Sequence, residues 1–453
     1  MDQNKRGVRL WSVLFWLAIW QLASMVVGKE ILLVSPLRTI VRLGELCMEA
    51  FFWRAVGYTM ARILLGFLLA TAAGLTLAAL AGRFKVVREL LTPFMLTVKA
   101  IPVASFIIVA LIWFSSKRLS VLISFLMVLP IVYTNLLDGM DSIDGKLKQM
   151  ARVFRLSPLR RAAYVAAPQL LPFFRAACSL GLGLAWKSGI AAEVIGIPAG
   201  SIGERLQRAK VYLETPDLFA WTLTIVLLST ACERIALRLL KRRVPLKLRR
   251  SCASIRRREK DIAPPAFSAV GLEKSFDGKR VLDGLTLHVA AGEAVCLMAP
   301  SGAGKTTLIN ILLGLLPADE GNVEGLKGVS IGAVFQEDRL IEDMDAADNI
   351  LMTNRRVSRE DAERELRLMG LEGCAGQPVS SLSGGMRRRV CLLRALMSES
   401  GALILDEPFT GLDERTRTET IARVRALRAG RTTLLVTHDP EAARLMEARV
   451  IEW

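Results

Sequence analysis

The sequence predicts two fold classes in one chain: an all-α membrane domain of about six transmembrane helices, then an α/β domain built around a phosphate-binding loop. Three observations carry this. Hydrophobic residues fill 52% of the 453 positions and mean hydropathy is +0.38, more than a soluble protein needs for its core. The apolar residues crowd into the first 240 positions, and charge crowds into the rest. Finally, the strand-like run Ala294–Met298 leads into Ala-Pro-Ser-Gly-Ala-Gly-Lys-Thr-Thr at 299–307. Strand, glycine-rich loop and helix in that order are the context a phosphate loop requires.

Apolar stretches able to cross roughly 30 Å of hydrocarbon fall near 10–28, 57–82, 88–114, 119–137, 168–191 and 217–240. Lys99 and Pro102 interrupt the third. Residues 1–28 carry Lys5, Arg6 and Arg9 ahead of an apolar run from Leu10 to Val27. The run is long for a signal peptide and more spans follow it, so an uncleaved first transmembrane helix is expected. With six spans both ends lie on one side. The loops of that side hold Lys5, Arg6 and Arg9, then Arg83, Lys85 and Arg88, then Lys146, Lys148, Arg152, Arg155, Arg160 and Arg161, then the run after Lys241. The opposite loops carry fewer bases, offset by Glu193, Glu204, Glu214 and Asp217. The positive-inside rule therefore predicts a multi-pass protein of the cytoplasmic (inner) membrane, with both termini and the α/β domain in the cytoplasm. The same rule accounts for the net charge of +17, and aromatic content of 6% offers little base-stacking surface, so no nucleic-acid partner is expected.

Lys241–Asp261 holds ten lysines and arginines against two acids. It reads as a linker over 241–263, between a membrane domain at 1–240 and an α/β domain at 264–453. Either its bases attach to anionic membrane lipids, or it is a solvated tether that fixes topology; the tether carries more weight. Lys99 and Lys187 fall within spans, where charge is costly and often lines a pathway. Lys99 is also placed to snorkel and Lys187 lies near a span end, so neither is assigned as a ligand. The seven cysteines (47, 178, 232, 252, 296, 374 and 391) form no CxxC pair, which argues against a disulfide framework or a zinc site. No internal repeat is visible.

In the second domain, strand-like Ala294–Met298, Ala402–Leu405 and Thr433–Val436 alternate with helical Arg359–Met369 and Glu414–Arg428. Backbone amides of 300–306, including those of Ser301, Gly302 and Gly304, are suited to cradle phosphates at a helix N-terminus. Lys305 supplies charge to the β- and γ-phosphates, Thr306 a hydroxyl for Mg2+, and Thr307 completes the ATP-binding loop. Asp406 and Glu407 end an apolar strand, where adjacent carboxylates are costly unless used. Asp406 is expected to hold magnesium and Glu407 to act as the base toward the attacking water. Leu-Ser-Gly-Gly-Met at 382–386 opens a helix, so Ser383, Gly384 and Gly385 make a second anion site.

These three motifs in the chain order phosphate loop, Leu-Ser-Gly-Gly-Met, then Asp406–Glu407, with His438 after the strand Leu-Leu-Val-Thr, resemble the ATP-binding cassette of ABC transporters. The resemblance implies an ABC ATPase with ATP and Mg2+ as cofactors. It makes Gln336, in Val-Phe-Gln-Glu, the glutamine that contacts magnesium and reports nucleotide state to the membrane domain, and His438 the residue that touches the γ-phosphate. Phe276, in Ser-Phe-Asp-Gly, stands where the family stacks an aromatic on adenine; core packing is its rival role. His288, in an alternating run, reads as an ordinary strand residue. In the family the Ser383–Gly385 site closes over the γ-phosphate of the opposite subunit, so one cassette per chain implies a homodimer with two shared sites. The family has glycine where this chain has Ala299, a cost of about 1 kcal/mol if the position needs a glycine-like backbone. It often has glutamine where this chain has Met386. Only 28 residues separate Thr307 from Gln336, which looks like a reduced domain.

Gln149–Pro172 is similar to the cytoplasmic coupling loop of binding-protein-dependent importers, and the likeness is strongest to permeases for sulfonates, taurine and nitrate. It extends to Trp186–Glu193 and Gly203. The family favours glutamate at Gln149 and a turn-making glycine at Arg155. This resemblance implies a permease fused to its ATPase, importing a small solute with a separate extracytoplasmic solute-binding protein. The alternatives are an ABC exporter half-transporter and a membrane ATPase that transmits force without moving solute. Arg152, Arg155, Arg160 and Arg161 either dock onto Glu337, Asp338, Glu342, Asp343, Asp345 and Asp348, or the two sets are positive-inside bias and an acidic solvent face; the two readings stand level.

Overall fold

The computed structural model describes residues 10–241, 263–300, 302–354 and 356–453. Most of the 241–263 linker and Ser301 therefore lie outside the described residues. The first half is helical: α1 (Leu10–Val27), α2 (Pro36–Met48), α3 (Ala50–Arg83), α4 (Lys85–Ala100), α5 (Val103–Trp113), α6 (Ser116–Asp141), α7 (Gly145–Val153), the three-residue α8 (Pro158–Arg160), α9 (Ala167–Gly196), α10 (Ile202–Val211) and α11 (Thr215–Lys241). A π-helical stretch, Arg161–Ala166, joins α8 to α9. Short helices begin at polar caps: the side chains of Ser35, Asp144 and Ser201 accept from the amides of Arg38, Lys146 and Glu204.

By packing, the chain forms two units, one drawn from Met1–Ser142 and Gln169–Val244, the other from Ile143–Pro168 and Pro245–Trp453. Helices α3 and α6 of the first, and the stretch Pro158–Gly196 that begins in the second, are long and apolar enough to cross a membrane. The pair α4 and α5 adds a fourth crossing if it is one span; it bends by 106° at Ile101–Pro102, where the sequence breaks the apolar run. The first expected span, α1, is apolar but only 18 residues long. The sixth, α11, carries Asp217, Glu233, Arg234 and Arg238 among its 27 residues. The expected six spans thus appear as helices of unequal quality: α1 is short, a proline break bends α4 against α5, and charge interrupts α11.

Without a hydrophobic drive between helices in lipid, close backbone approach holds such a bundle. A Cβ at Gly66 of α3 would lie 2.6 Å from the Val121 carbonyl oxygen of α6, and one at Gly189 of α9 would lie 2.7 Å from the Ile63 side chain. One polar knot is buried among these helices. Glu193 of α9 is fully buried and pairs with Arg62 of α3 at 3.3 Å. Thr59 donates to Glu193 at 2.8 Å and accepts from the Ile202 amide at 3.0 Å. Arg62 also donates to the carbonyls of Ser116, at 3.0 Å, and Lys117. Four elements meet there, and a charge left alone would be uncompensated. Arg62→Ala is therefore expected to destabilise the membrane unit by roughly 3–5 kcal/mol, read as a lower melting temperature in detergent. An unchanged melting temperature would mean that the knot does not hold the helices.

The second unit contains β1 (Phe267–Phe276), β2 (Lys279–Val289), β3 (Ala294–Met298), α12 (Lys305–Leu312), β4 (Glu320–Glu324), β5 (Ile331–Val334), α13 (Ala346–Leu351), α14 (Arg359–Leu368), α15 (Gly384–Leu396), β6 (Ala402–Asp406), α16 (Glu414–Arg428), β7 (Thr432–Val436), α17 (Pro440–Leu445) and β8 (Arg449–Glu452). Strands β2-β1-β4 form an antiparallel sheet, and β5-β6-β7-β3-β8 a parallel one. Parallel strands covered on both faces read as unbroken apolar runs, which is why β6 and β7 are buried along their whole length. The short interval after Thr307 holds α12, β4 and β5.

Ile143–Pro168 packs with this unit although the sequence places it in the membrane half. Met150, Val153, Phe154, Leu156 and Tyr164 share one buried apolar cluster with Phe335, Leu340 and Ile350. The docking is real, but its chemistry is not the arginine–acid pairing weighed above. Arg155 donates to the Gly328 carbonyl at 2.8 Å and Arg160 to the Met352 carbonyl at 2.9 Å. The acids are taken by arginines nearer in sequence: Asp345 and Asp348 by Arg359, Glu342 by Arg387, Asp338 by Arg387 and Arg388. Among the described residues, Lys146 pairs with Glu337 across the segments at 2.6 Å. Arg155 has φ 49°, so a left-handed backbone position, which glycine adopts at least cost, is held here by an arginine.

Candidate active site

The parallel sheet brings the carboxyl ends of three adjacent strands, β6, β7 and β3, to one edge, where α/β folds bind their ligands. A cleft of about 750 Å³ opens there. Its walls include Gly302, Gly304, Lys305, Thr306, Thr307, Gln336, Asp406, Glu407 and His438, all singled out in the sequence, together with Val281 and Thr410. The loop after β3 turns into α12 through Gly304, whose φ of 94° and close approach to the Val281 carbonyl (2.8 Å for an added Cβ) admit only glycine. Ala299 is buried and is not among the described residues with positive φ. The glycine-like backbone that would have penalised alanine is not adopted, so that cost does not arise.

Lys305 Nζ donates to the Ala299 carbonyl at 2.8 Å and stands 3.9 Å from Glu407 Oε1. Glu407 holds φ 42°, a conformation that costs a non-glycine residue about 1–3 kcal/mol and persists where function keeps it. Its amide donates to the Val436 carbonyl at 2.8 Å, its Oε2 accepts from Thr437 at 3.1 Å, and its Oε1 lies 3.0 Å from His438 Nδ1. The carboxylate is thereby aimed between the phosphate loop and an exposed imidazole.

Asp406 is buried at the end of β6, and burial, reinforced by the Glu407 charge, pushes its carboxyl up to about 6. A cation beside it would favour the ionised form. The oxygen donors at hand are the Thr306 hydroxyl, the Gln336 amide and Asp406, a hard set that fits magnesium. Among the described residues no group of three or more His, Cys, Asp or Glu gathers into an all-protein metal site. The set therefore suits a metal completed by phosphate and water.

Other expected residues lie away from the cleft. Ser383 caps α15 without spending its side chain on the helix, and Ser383 and Gly384 are exposed. Phe276 is 44% exposed, with Lys274 Nζ 5.6 Å from its ring centroid, so core packing is not its role. His288 is an exposed strand residue paired opposite Ser268. Two contributors escaped the sequence reading. Thr437 was visible only as the neighbour of His438. Arg388 sat inside the run Arg387–Arg389, which reads as a solvated face, yet it is buried against the segments that carry Gln336 and Glu407.

Residues 282–410 match the family described as "ABC transporter", and residues 70–245 match "Binding-protein-dependent transport system inner membrane component". An aliphatic sulfonates import ATP-binding protein of Rhizobium johnstonii is 42% identical over 204 residues, which is 42% of this chain and 74% of that relative. One of the same description from Rhodococcus jostii is 42% identical over 202 residues, 41% of this chain and 80% of the relative. A Nod factor export ATP-binding protein of Paraburkholderia xenovorans is 39% identical over 189 residues, 38% of this chain and 62% of the relative. Each covers less than half of this chain.

Proposed function

The chain belongs to the ABC transporter family, a membrane component joined to a cassette that hydrolyses ATP for transport, and on that premise we propose that it imports a small solute. It does so as a homodimer, fed by a separate extracytoplasmic solute-binding protein, with both termini and the cassette in the cytoplasm. One observation carries the direction: the membrane half matches the family of binding-protein-dependent systems. The cassette leaves it open, since similar cassettes are named for import and for export. Sulfonates are the first solute class to test. The domains are assigned as 1–240, 241–263 and 264–453.

In this reading the loop around Gly302 and Gly304 wraps the phosphates, and Lys305 leaves the Ala299 carbonyl to meet them. Phe276 stacks on the adenine. Thr306, Gln336 and Asp406 hold magnesium, which supplies charge neutralisation at the β- and γ-phosphates when bound. Glu407 takes the proton of the attacking water at the carboxylate that His438 and Thr437 orient. Ser383, Gly384 and Gly385 serve the nucleotide of the partner subunit. Gln336 adjoins Glu337, the partner of Lys146, so nucleotide state at Gln336 has a direct route to Ile143–Pro168.

The test is to purify a Glu407→Gln variant with ATP from native membranes and to identify the co-purifying proteins by mass spectrometry. An extracytoplasmic binding protein with its solute supports the reading. A clean homodimer without one, from a chain whose wild type hydrolyses ATP, favours the exporter or the membrane ATPase that moves no solute.

A further inference from the structure

Arg388 lies one helical turn beyond Gly385 on α15, the helix that presents the exposed Ser383 and Gly384. It is 4% exposed, and all three guanidinium nitrogens are engaged. Nη1 donates to the carbonyls of Phe335 at 2.6 Å and Gln336 at 3.3 Å, and lies 3.4 Å from Asp338 Oδ1. Nη2 donates to the carbonyls of Asp406 at 2.5 Å and Glu407 at 2.6 Å, and Nε to that of Pro408 at 3.3 Å. A single cation thus clamps the main chain of two segments: the one bearing Gln336 and the one bearing Asp406 and Glu407.

Charge-assisted bonds of this kind are short and strong, and Arg388 stands five residues after Ser383, about 7.5 Å along the helix axis. The clamp grips the carbonyl of Glu407 itself, at the φ 42° position that aims its carboxylate. A small shift of α15 is therefore transmitted to the 3.0 Å and 3.9 Å spacings that Glu407 keeps with His438 and Lys305. Lysine cannot substitute fully, because one ammonium does not span acceptors on both segments.

We propose that Arg388 is a positioning residue that couples the two ATP sites of the dimer. When Ser383–Gly385 engages the nucleotide held by the partner subunit, α15 moves, and Arg388 carries that movement to Gln336 and Glu407 of its own chain. Each site is thus set for hydrolysis by the occupancy of the other. This rests on the shared-site homodimer proposed above.

The experiment measures ATP turnover against ATP concentration for the full-length chain in lipid nanodiscs, as wild type, Arg388→Gln and Arg388→Lys. The wild type should be sigmoidal, with a Hill coefficient approaching about 2 for two coupled sites. Arg388→Gln should lower kcat by roughly 10–100-fold, leave half-saturation within about 2-fold of wild type, and bring the Hill coefficient to about 1. Arg388→Lys should recover part of both. A hyperbolic wild type would overturn the shared-site reading and this proposal with it. A sigmoidal wild type with an equally sigmoidal Arg388→Gln would overturn this proposal alone. So would a joint loss of kcat, nucleotide affinity and melting temperature in both variants, or the failure of both to fold, since that marks a structural role only.

Discussion

Glu407→Gln is expected to lower ATP turnover by about 10²–10⁴-fold, the contribution typical of a positioned general base, while ATP stays bound. The amide keeps the size of the carboxylate, and its contacts with Thr437 at 3.1 Å and His438 at 3.0 Å can persist. What it loses is the ability to take a proton from water. Lys305, 3.9 Å away, also loses a negative neighbour, so the γ-phosphate meets less repulsion. Phosphate release would measure the loss, and retention of labelled ATP at the mass of a dimer would measure the trap. Turnover within tenfold of wild type would move the base elsewhere in the cleft.

The second large effect is expected from mixed dimers. Lys305→Ala should disable the phosphate loop of its own chain, and Ser383→Arg should block the anion site proposed at the start of α15. Each variant alone should be inactive, because every site then carries one lesion. In a mixed dimer the lesions fall together on one site and leave the other whole. Turnover should return to about half of wild type at most, and less in proportion to the coupling between the sites. Purification through two different affinity tags isolates the mixed species. A mixed dimer that neither turns over ATP nor traps it in the intact site would mean that each ATP site is built within one chain.

How much of this was legible in the sequence follows the range of the interactions involved. The phosphate loop, the Asp406–Glu407 pair and His438 sit at ends of apolar strands that the parallel sheet buries on both faces, so local pattern located them. The cleft then gathers them because β6, β7 and β3 are neighbours. The helical membrane half was equally plain. The spans were not of equal quality, however, because Pro102 turns a continuous apolar run into a pair bent by 106°. Tertiary partners were the part that pattern missed. A run of arginines looks the same whether it faces water or, like Arg388, a ring of carbonyls. The charges of Ile143–Pro168 were legible, but while Lys146 found an acid in Glu337, Arg155 and Arg160 donate to backbone carbonyls, and carbonyls at turns leave no mark in a sequence. Arg155 shows the same limit in the backbone, since only the fold reveals that an arginine holds a left-handed conformation there. Ala299 shows the reverse: a departure that seemed costly is harmless where the chain never enters left-handed space.

Vectorial transport is the most direct test of the account. The purified chain is reconstituted in liposomes with ATP and magnesium trapped inside, and the binding protein recovered with Glu407→Gln is added outside with its labelled solute. The account predicts solute uptake that requires the binding protein and ATP together and is lost in Glu407→Gln. Solute leaving liposomes when ATP is supplied outside, with no uptake in the first arrangement, would contradict it.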